Sequence, residues 1–295
     1  MEQSSKVIYE YLRAKKKFPH VWCSGCGIGI VMMAVIRAID RLKIPKDDMV
    51  MVSGIGCSSR MPVYVDFNTL HTTHGRAIAF ATGVKVAKPK LNVMVVTGDG
   101  DALAIGGNHF IHAARRNIDM TIVLINNWNY GMTGGQYSPT TPTGGIGTTA
   151  PYGNPERPFD ILALSKGAGA PFFARGTVYH AVQLDKLIEK AILKKGFSVV
   201  EVISNCHTLY GRLNKLGPAV KMIEWQKEHS LSIQAAQNLS PEKIGDKIIT
   251  GVLWDIEAPE YCEEYDKLVA KVQGTKPPDH PISPTSDKSK EHMPI

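Results

Sequence analysis

The sequence predicts a doubly wound α/β fold on a mostly parallel sheet, and three observations carry that reading. Residues 48–54, 91–97, 120–126, 171–175 and 197–203 form short, nearly continuous runs rich in Val, Ile and Met, as strands buried on both faces must be. Helical patterns at 75–88, 104–117, 158–168 and 180–195 separate them, so strand and helix alternate as parallel crossovers require. The runs end in Gly-, Asn- and Cys-bearing turns, and ligands of such sheets bind beyond the carboxyl ends of the strands.

A first helix is expected at 27–42, where Ile28, Met32, Val35, Ile39 and Leu42 recur at helical spacing. Two segments break the alternation. Residues 128–154 are rich in Gly, Thr and Pro and long for a structureless connection, which points to a functional loop. Beyond residue 215, helical pieces at 219–229, 240–246 and 260–272 read as a C-terminal helical extension, giving expected units 1–215 and 216–295. The Pro-, Ser- and Lys-rich tail from Gly274 to Ile295 is expected to stay mobile or wrap a partner.

Composition excludes several classes. Hydrophobic residues at 43% and charged residues at 21% suit a globular chain. No apolar run nears the roughly 20 residues of a membrane helix, and Lys15, Lys16 and Lys17 precede no apolar segment of a signal peptide. A cytoplasmic protein is therefore expected. The net charge of +7 comes from scattered Lys and Arg; a solvated surface or an acidic protein partner explains it better than nucleic acid or membrane.

Gly98-Asp99-Gly100-Asp101 follows a strand directly, and its glycines would let backbone N–H groups approach a diphosphate. Twenty-five residues separate Gly100 from Asn126-Asn127, which ends the next strand and precedes Trp128-Asn129. Both ends would reach one sheet edge. There the Asp99 carboxylate, the Asn127 amide and the Asn129 carbonyl could bind Mg²⁺, which takes few protein oxygens and leaves the rest to phosphate and water. This pattern resembles the thiamine diphosphate motif of transketolase-like and oxoacid-processing enzymes.

Five cysteines argue against a disulfide framework and towards metal or redox chemistry. Cys23 and Cys26 form a Cys-x-x-Cys pair before the first helix; Cys57 and Cys206 each follow a strand. Four such thiolates suit Zn²⁺ or a [4Fe–4S] cluster. Two distant single ligands favour a cluster assembled by the fold. Cys262 has no such setting and reads as structural. His109 and His112, three apart on a helix, read as packing or polar-face residues, and Arg115 and Arg116 as a solvated helix end.

Taken in order, Cys-x-x-Cys-Gly, Gly-Ile-Gly-Cys-Ser-Ser, Thr-His-Gly-Arg, Gly-Asp-Gly-Asp, Asn-Asn-x-Asn-Tyr-Gly-Met-Thr-Gly-Gly-Gln and a late Cys resemble the β subunits of 2-oxoacid:ferredoxin oxidoreductases. The match runs from about Trp22 to Arg212. The resemblance implies a diphosphate-domain type of thiamine fold with Mg²⁺ on Asp99, Asn127 and Asn129 and a [4Fe–4S] cluster on Cys23, Cys26, Cys57 and Cys206. Ile55, Gly56, Cys57, Ser58, His74, Gly98, Gly100, Asp101, Gly131, Met132 and Thr133 would line the cofactor. Arg60, His74 and Met132 would serve catalysis, with Arg60 gripping the 2-oxoacid carboxylate as a planar fork; a loop arginine and a helix-capping His74 are the plainer accounts.

The resemblance further implies oxidative decarboxylation of a 2-oxoacid, with coenzyme A as co-substrate and ferredoxin as electron partner. The activating glutamate would come from an α subunit, in an αβ or dimer-of-αβ enzyme. Ser59-Arg60 and residues 71–87 are more similar to enzymes of 2-oxoglutarate than of pyruvate. A pyruvate or broad-range enzyme, a non-redox thiamine decarboxylase subunit and a zinc-bearing nucleic-acid module are the alternatives.

Overall fold

The computed structural model describes residues 7–15 and 18–278. Its strands are β1 (Met49–Ser53), β2 (Asn68–His71), β3 (Asn92–Gly98), β4 (Met120–Asn126), β5 (Asn129–Tyr130), β6 (Gln136–Tyr137), β7 (Phe172–Thr177), β8 (Phe197–Ile203), β9 (Ser230–Ser232) and β10 (Ile248–Asp255). Its helices are α1 (Ile28–Leu42), α2 (Ala77–Ala87), α3 (Gly107–Arg115), α4 (Ile161–Gly167), α5 (Ala181–Leu193), α6 (Ala219–Glu228), α7 (Ile233–Ala236), α8 (Pro241–Ile244) and α9 (Tyr261–Gln273). Eight strands make one sheet in the order β2-β1-β3-β4-β8-β7-β10-β9. Every neighbouring pair is parallel except β7 with β10.

The five expected strands are present because their side chains are buried on both faces: β1, β4 and β8 are buried along their whole length. One core forms where α1 and α5 pack on the sheet. Val31, Met32, Val35, Ile36 and Ile39 are sealed there, each contributing about 1.5–3 kcal/mol. A bidentate Arg37–Asp185 pair at 2.7 and 2.9 Å ties the two helices together. The opposite core gathers Ile78 and Ala81 of α2 and Phe110 of α3 against Val95, Ile122 and Val199.

Three features depart from expectation. The helix expected at 104–117 begins as a π turn, Asp101–Ile105, and becomes α3 only after Gly106; a Cβ there would stand 2.3 Å from the Asp101 carbonyl oxygen. β2 is a polar, half-exposed edge strand without an apolar run to announce it. The C-terminal extension is helical only in part. Its β10 is fully buried only at Thr250 and Gly251 and pairs antiparallel with β7, and β9 pairs with β10. Backbone hydrogen bonds thus join residues beyond 215 to the main sheet. The expected tail lies outside the described residues from 279 onward.

The chain leaves β1 towards β2 on one side and returns as β3 on the other. That reversal opens a crevice at the carboxyl ends of the strands, where a doubly wound sheet binds ligands. The turns after β1, β3, β4 and β8 all open at that edge.

Candidate active site

One pocket of about 200 Å³ is lined by Ile55, Gly56, Cys57, Ser58, His74, Gly98, Asp99, Gly100, Asp101, Asn127, Asn129, Gly131, Met132 and Thr133, the whole expected cofactor and magnesium set. Ile28, Ile125 and Tyr130 complete the wall. Tyr130 explains Gly100: a Cβ at that glycine would stand 2.2 Å from the tyrosine ring, whose hydroxyl donates to the Gly100 carbonyl at 3.2 Å.

Asp99 is 2% exposed, and Ser138 and Thr140 hydroxyls both donate to its Oδ2 at 2.6 Å. Burial pushes its carboxyl up to about 6, and the hydroxyl donors pull only part of the way back. Across the crevice Asn127 Oδ1 is buried without a hydrogen-bond partner, as are both amide atoms of Asn129. A buried polar atom left without a partner costs about 1–3 kcal/mol. A buried carboxylate facing unpartnered amide oxygens fits a divalent cation with hard oxygen ligands.

The long loop folds back over this point. Thr140 also reaches Asn126 Oδ1 at 2.9 Å, and the Thr141 hydroxyl donates to the Trp128 carbonyl at 2.6 Å. Trp128, between the two asparagines, has φ +61°, a left-handed setting that costs about 1–3 kcal/mol outside glycine. Its ring leaves the crevice to pack against Tyr210 and Trp225. Thr140→Val should therefore weaken divalent-cation affinity at this crevice about 10–100-fold, read by titrating Mg²⁺ against the tryptophan fluorescence of the protein.

Asp101 lines the pocket as expected and also ties its wall together. Its carboxylate accepts from Thr97 Oγ1 at 2.8 Å, the Gly75 N–H at 2.7 Å, the Ile55 N–H at 3.3 Å and His74 Nδ1 at 2.6 Å. It knots the exits of β1 and β3 to the turn carrying His74. Because a carboxylate only accepts, His74 donates from Nδ1 and keeps Nε2 for the pocket.

Arg60 is absent from the wall. It follows Ser58 on a turn, Ser58–Val63, with three residues per revolution, so the two side chains leave on different sides. Arg60 is half-exposed.

A second hollow of about 230 Å³ shares Cys57, Ile28, Asn127, Gly131 and Met132 with the first and is also lined by Cys23, Cys26 and Cys206. The Cys57 and Cys206 sulfurs lie 3.5 and 3.6 Å from where a Cβ on Gly131 would stand, so both thiols border this one residue. Gly27 is tightly constrained: its Cβ would meet Ser204 Oγ at 2.5 Å and Asn205 Oδ1 at 2.9 Å, while Asn205 Nδ2 donates to the Gly25 carbonyl. These contacts press the Cys-x-x-Cys loop onto the turn after β8. Trp22 Nε1 donates to the Cys57 carbonyl at 2.7 Å.

Burial, with the neighbouring thiols adding to it, pushes Cys26 up to about 12 and Cys57 up to about 11. Four thiolates would need positive charge among them. Among the described residues no three His, Cys, Asp or Glu side chains gather tightly enough for a single ion. The thiols surround a space, not a point. His109 and His112 form no such group either, and Cys262 is buried elsewhere.

A parallel sheet whose strand exits build a cradle of this kind defines a thiamine-diphosphate enzyme domain. Residues 54–202 match the family model described as thiamine pyrophosphate enzyme, C-terminal TPP binding domain. The chain is 52% identical over 264 residues to the 2-oxoglutarate synthase subunit KorB of Methanocaldococcus jannaschii, covering 90% of this chain and 97% of that one. It is 51% identical over 259 residues to the KorB subunit of Archaeoglobus fulgidus, covering 88% and 93%. A solved 2-oxoglutarate:ferredoxin oxidoreductase from Magnetococcus marinus, with 2-oxoglutarate, coenzyme A and succinyl-CoA bound, superposes with a TM-score of 0.81 at 35% identity over 91% of each chain. The chain belongs to the β subunits of the 2-oxoacid:ferredoxin oxidoreductases, among those of the 2-oxoglutarate type. Among the described residues no helix is long and apolar enough to cross a membrane.

Proposed function

We propose that this chain, with an α subunit, oxidatively decarboxylates 2-oxoglutarate to succinyl-CoA, holding thiamine diphosphate, Mg²⁺ and a [4Fe–4S] cluster, with ferredoxin as electron acceptor. The observation that carries the reading is the wall of Cys57, Gly131 and Met132 shared by the cofactor cradle and the four-thiol hollow. One carbon–carbon bond to the substrate carboxylate breaks and one thioester bond forms to coenzyme A. The thiol proton is released, and two electrons leave singly to two ferredoxins. The reverse, reductive direction uses the same balance.

Bound thiamine diphosphate supplies the electron sink for the carbanion left by CO₂, and a cluster supplies one-electron transfer. The chain supplies the rest. Asp99, Asn127 and the Asn129 carbonyl hold the cation; Gly98 and Gly100 bring backbone close to the diphosphate. His74 Nε2, its ring fixed through Nδ1 by Asp101, holds or gives a proton beside the reacting carbon. Exposed Met132 and Thr133 cover the mouth. Arg60, outside the wall, would meet a substrate carboxylate reaching past it.

Free thiols and an oxygen-sensitive cluster suit a reducing compartment, so the cytoplasm is proposed. The two units, 1–215 with the site and 216–295 as support, belong to the same proposal.

The test is steady-state kinetics of the reconstituted αβ complex with 2-oxoglutarate, pyruvate and 2-oxobutyrate. A higher kcat/KM for 2-oxoglutarate is expected; preference for pyruvate would overturn the substrate assignment. In the same assay Arg60→Ala should raise KM for 2-oxoglutarate about 10–100-fold, as losing a charged contact costs roughly 1.5–3 kcal/mol, with cofactor binding unchanged.

A further inference from the structure

We propose that the surface around Cys23, bordered by Arg212, Lys215 and Lys221, is the docking site for an acidic one-electron carrier protein; this rests on the reading just given and adds where the carrier sits.

Of the four grouped cysteines, Cys23 alone is exposed; Cys26, Cys57 and Cys206 are partly buried. A cluster held by all four would present its Cys23 corner to solvent. Electron transfer weakens steeply with distance, so a carrier must seat at that corner. The neighbouring surface is built for contact. Val21 is 61% exposed beside Cys23, and Val220 is 64% exposed at the start of α6. The two segments meet: a Cβ on Gly25 would stand 2.7 Å from that of Ala219. Cys23 Sγ lies 3.7 Å from the Thr208 hydroxyl.

Cations frame this apolar centre. Arg212 reaches back through Nε to the Thr208 carbonyl at 3.1 Å, anchoring its charge next to Cys23. Lys215 and Lys221 are exposed on the connection to α6 and on its first turn. None of the three forms an ion pair with a carboxylate among the described residues. Other cations of the chain are neutralised, as in Arg37–Asp185, Lys85–Asp119 and Lys194–Asp255, whereas these three keep their charge for solvent or a partner. Further along α6, Glu224 and Glu228 line the hollow of Trp128 and Trp225 together with Lys221, and neither forms an ion pair with Lys221. Apolar contact with an unpaired cationic rim complements an acidic protein and steers its approach.

The test uses the reconstituted αβ complex with 2-oxoglutarate and coenzyme A, and two acceptors: a purified acidic bacterial ferredoxin and methyl viologen. For the wild type, kcat/KM for ferredoxin should fall about tenfold or more between about 20 mM and about 300 mM salt, as screening shortens the reach of charge. Arg212→Glu, Lys215→Glu and Lys221→Glu combined should raise KM for ferredoxin on the order of 10–100-fold, with methyl viologen turnover within about twofold. The three glutamine replacements should give an intermediate rise, and they carry the test if the reversal variant fails to fold. An unchanged ferredoxin KM in a variant that still reduces methyl viologen would overturn the docking site alone. A wild-type complex that reduces neither acceptor would overturn the underlying function, and this proposal with it.

Discussion

Asp99→Asn is expected to lower Mg²⁺-dependent thiamine diphosphate binding by about 100-fold or more and to reduce turnover of the αβ complex accordingly, while leaving the cofactor-free fold intact. The two halves of this result have one cause. Burial holds the Asp99 carboxyl up at about 6, so its ionised form is a cost to the folded chain. That cost is absent below the ordinary carboxylate range, grows as pH rises towards about 6, and is fully present at neutral pH. Asparagine has nearly the same shape and no charge, and Ser138 and Thr140 can still hydrogen-bond it. Cofactor-free stability should therefore stay level or rise slightly. With a cation present the sign reverses, because the carboxylate supplies a charged oxygen ligand beside Asn127 and Asn129, whereas Asp101 is already engaged by four donors. Thermal unfolding reads both effects. Cofactor and Mg²⁺ at about 100 times Kd should stabilise the wild type by about 2.7 kcal/mol, a rise of several degrees. The variant should show little of it at the same concentrations. An equal rise in the variant would remove Asp99 from the cation site.

The reason this site could be read from sequence is that its chemistry sits in short contiguous strings at strand ends. Gly98-Asp99-Gly100 and Asn126-Asn127 each carry the turn and the ligand together, so locating β3 and β4 located them. What could not be read depends on the path of the chain through space. Ser138 and Thr140 lie in a Gly-, Thr- and Pro-rich loop, and only its return over β3 brings their hydroxyls to Asp99. Tyr130 is foreshadowed by Gly100, since a glycine beside a buried ligand invites a search for what fills its missing side chain; Ile28 and Ile125 gave no such sign. Asp101 lines the pocket as the motif suggests, but its second task, accepting from Thr97 and from Ile55, His74 and Gly75 of two other segments, depends on how the turns meet in space. Arg60 was assigned to the substrate carboxylate by likeness, and its place outside the cofactor wall leaves that role to the kinetics of Arg60→Ala. At the sheet's far edge β10 escaped notice because an antiparallel, half-buried strand with a glycine in it has no continuous apolar run.

Cys206→Ser and Cys57→Ser should have separable consequences, since only one of these thiols is shared. Cys206 lines the four-thiol hollow and not the cofactor pocket, whereas Cys57 lines both. Anaerobically purified Cys206→Ser should lose most of its iron and sulfide from near four per chain in a site of this type, together with the reducible EPR signal. Ferredoxin-linked turnover should fall about 1,000-fold or more, as one-electron exit is lost; thiamine diphosphate affinity should stay within about threefold. Cys57→Ser should lose the same iron and also weaken the cofactor, because its turn from Gly56 to Ser58 forms one side of the cradle. Trp22 holds that turn through the Cys57 carbonyl, which the substitution leaves in place, so the weakening should be about tenfold and no more, the scale of a shell perturbation. Zinc at one per chain without iron in the wild type would refute the cluster. Retained iron in Cys206→Ser would instead remove the turn after β8 from the cluster, leaving the close approach of Cys206 to Cys57 across Gly131 without a function.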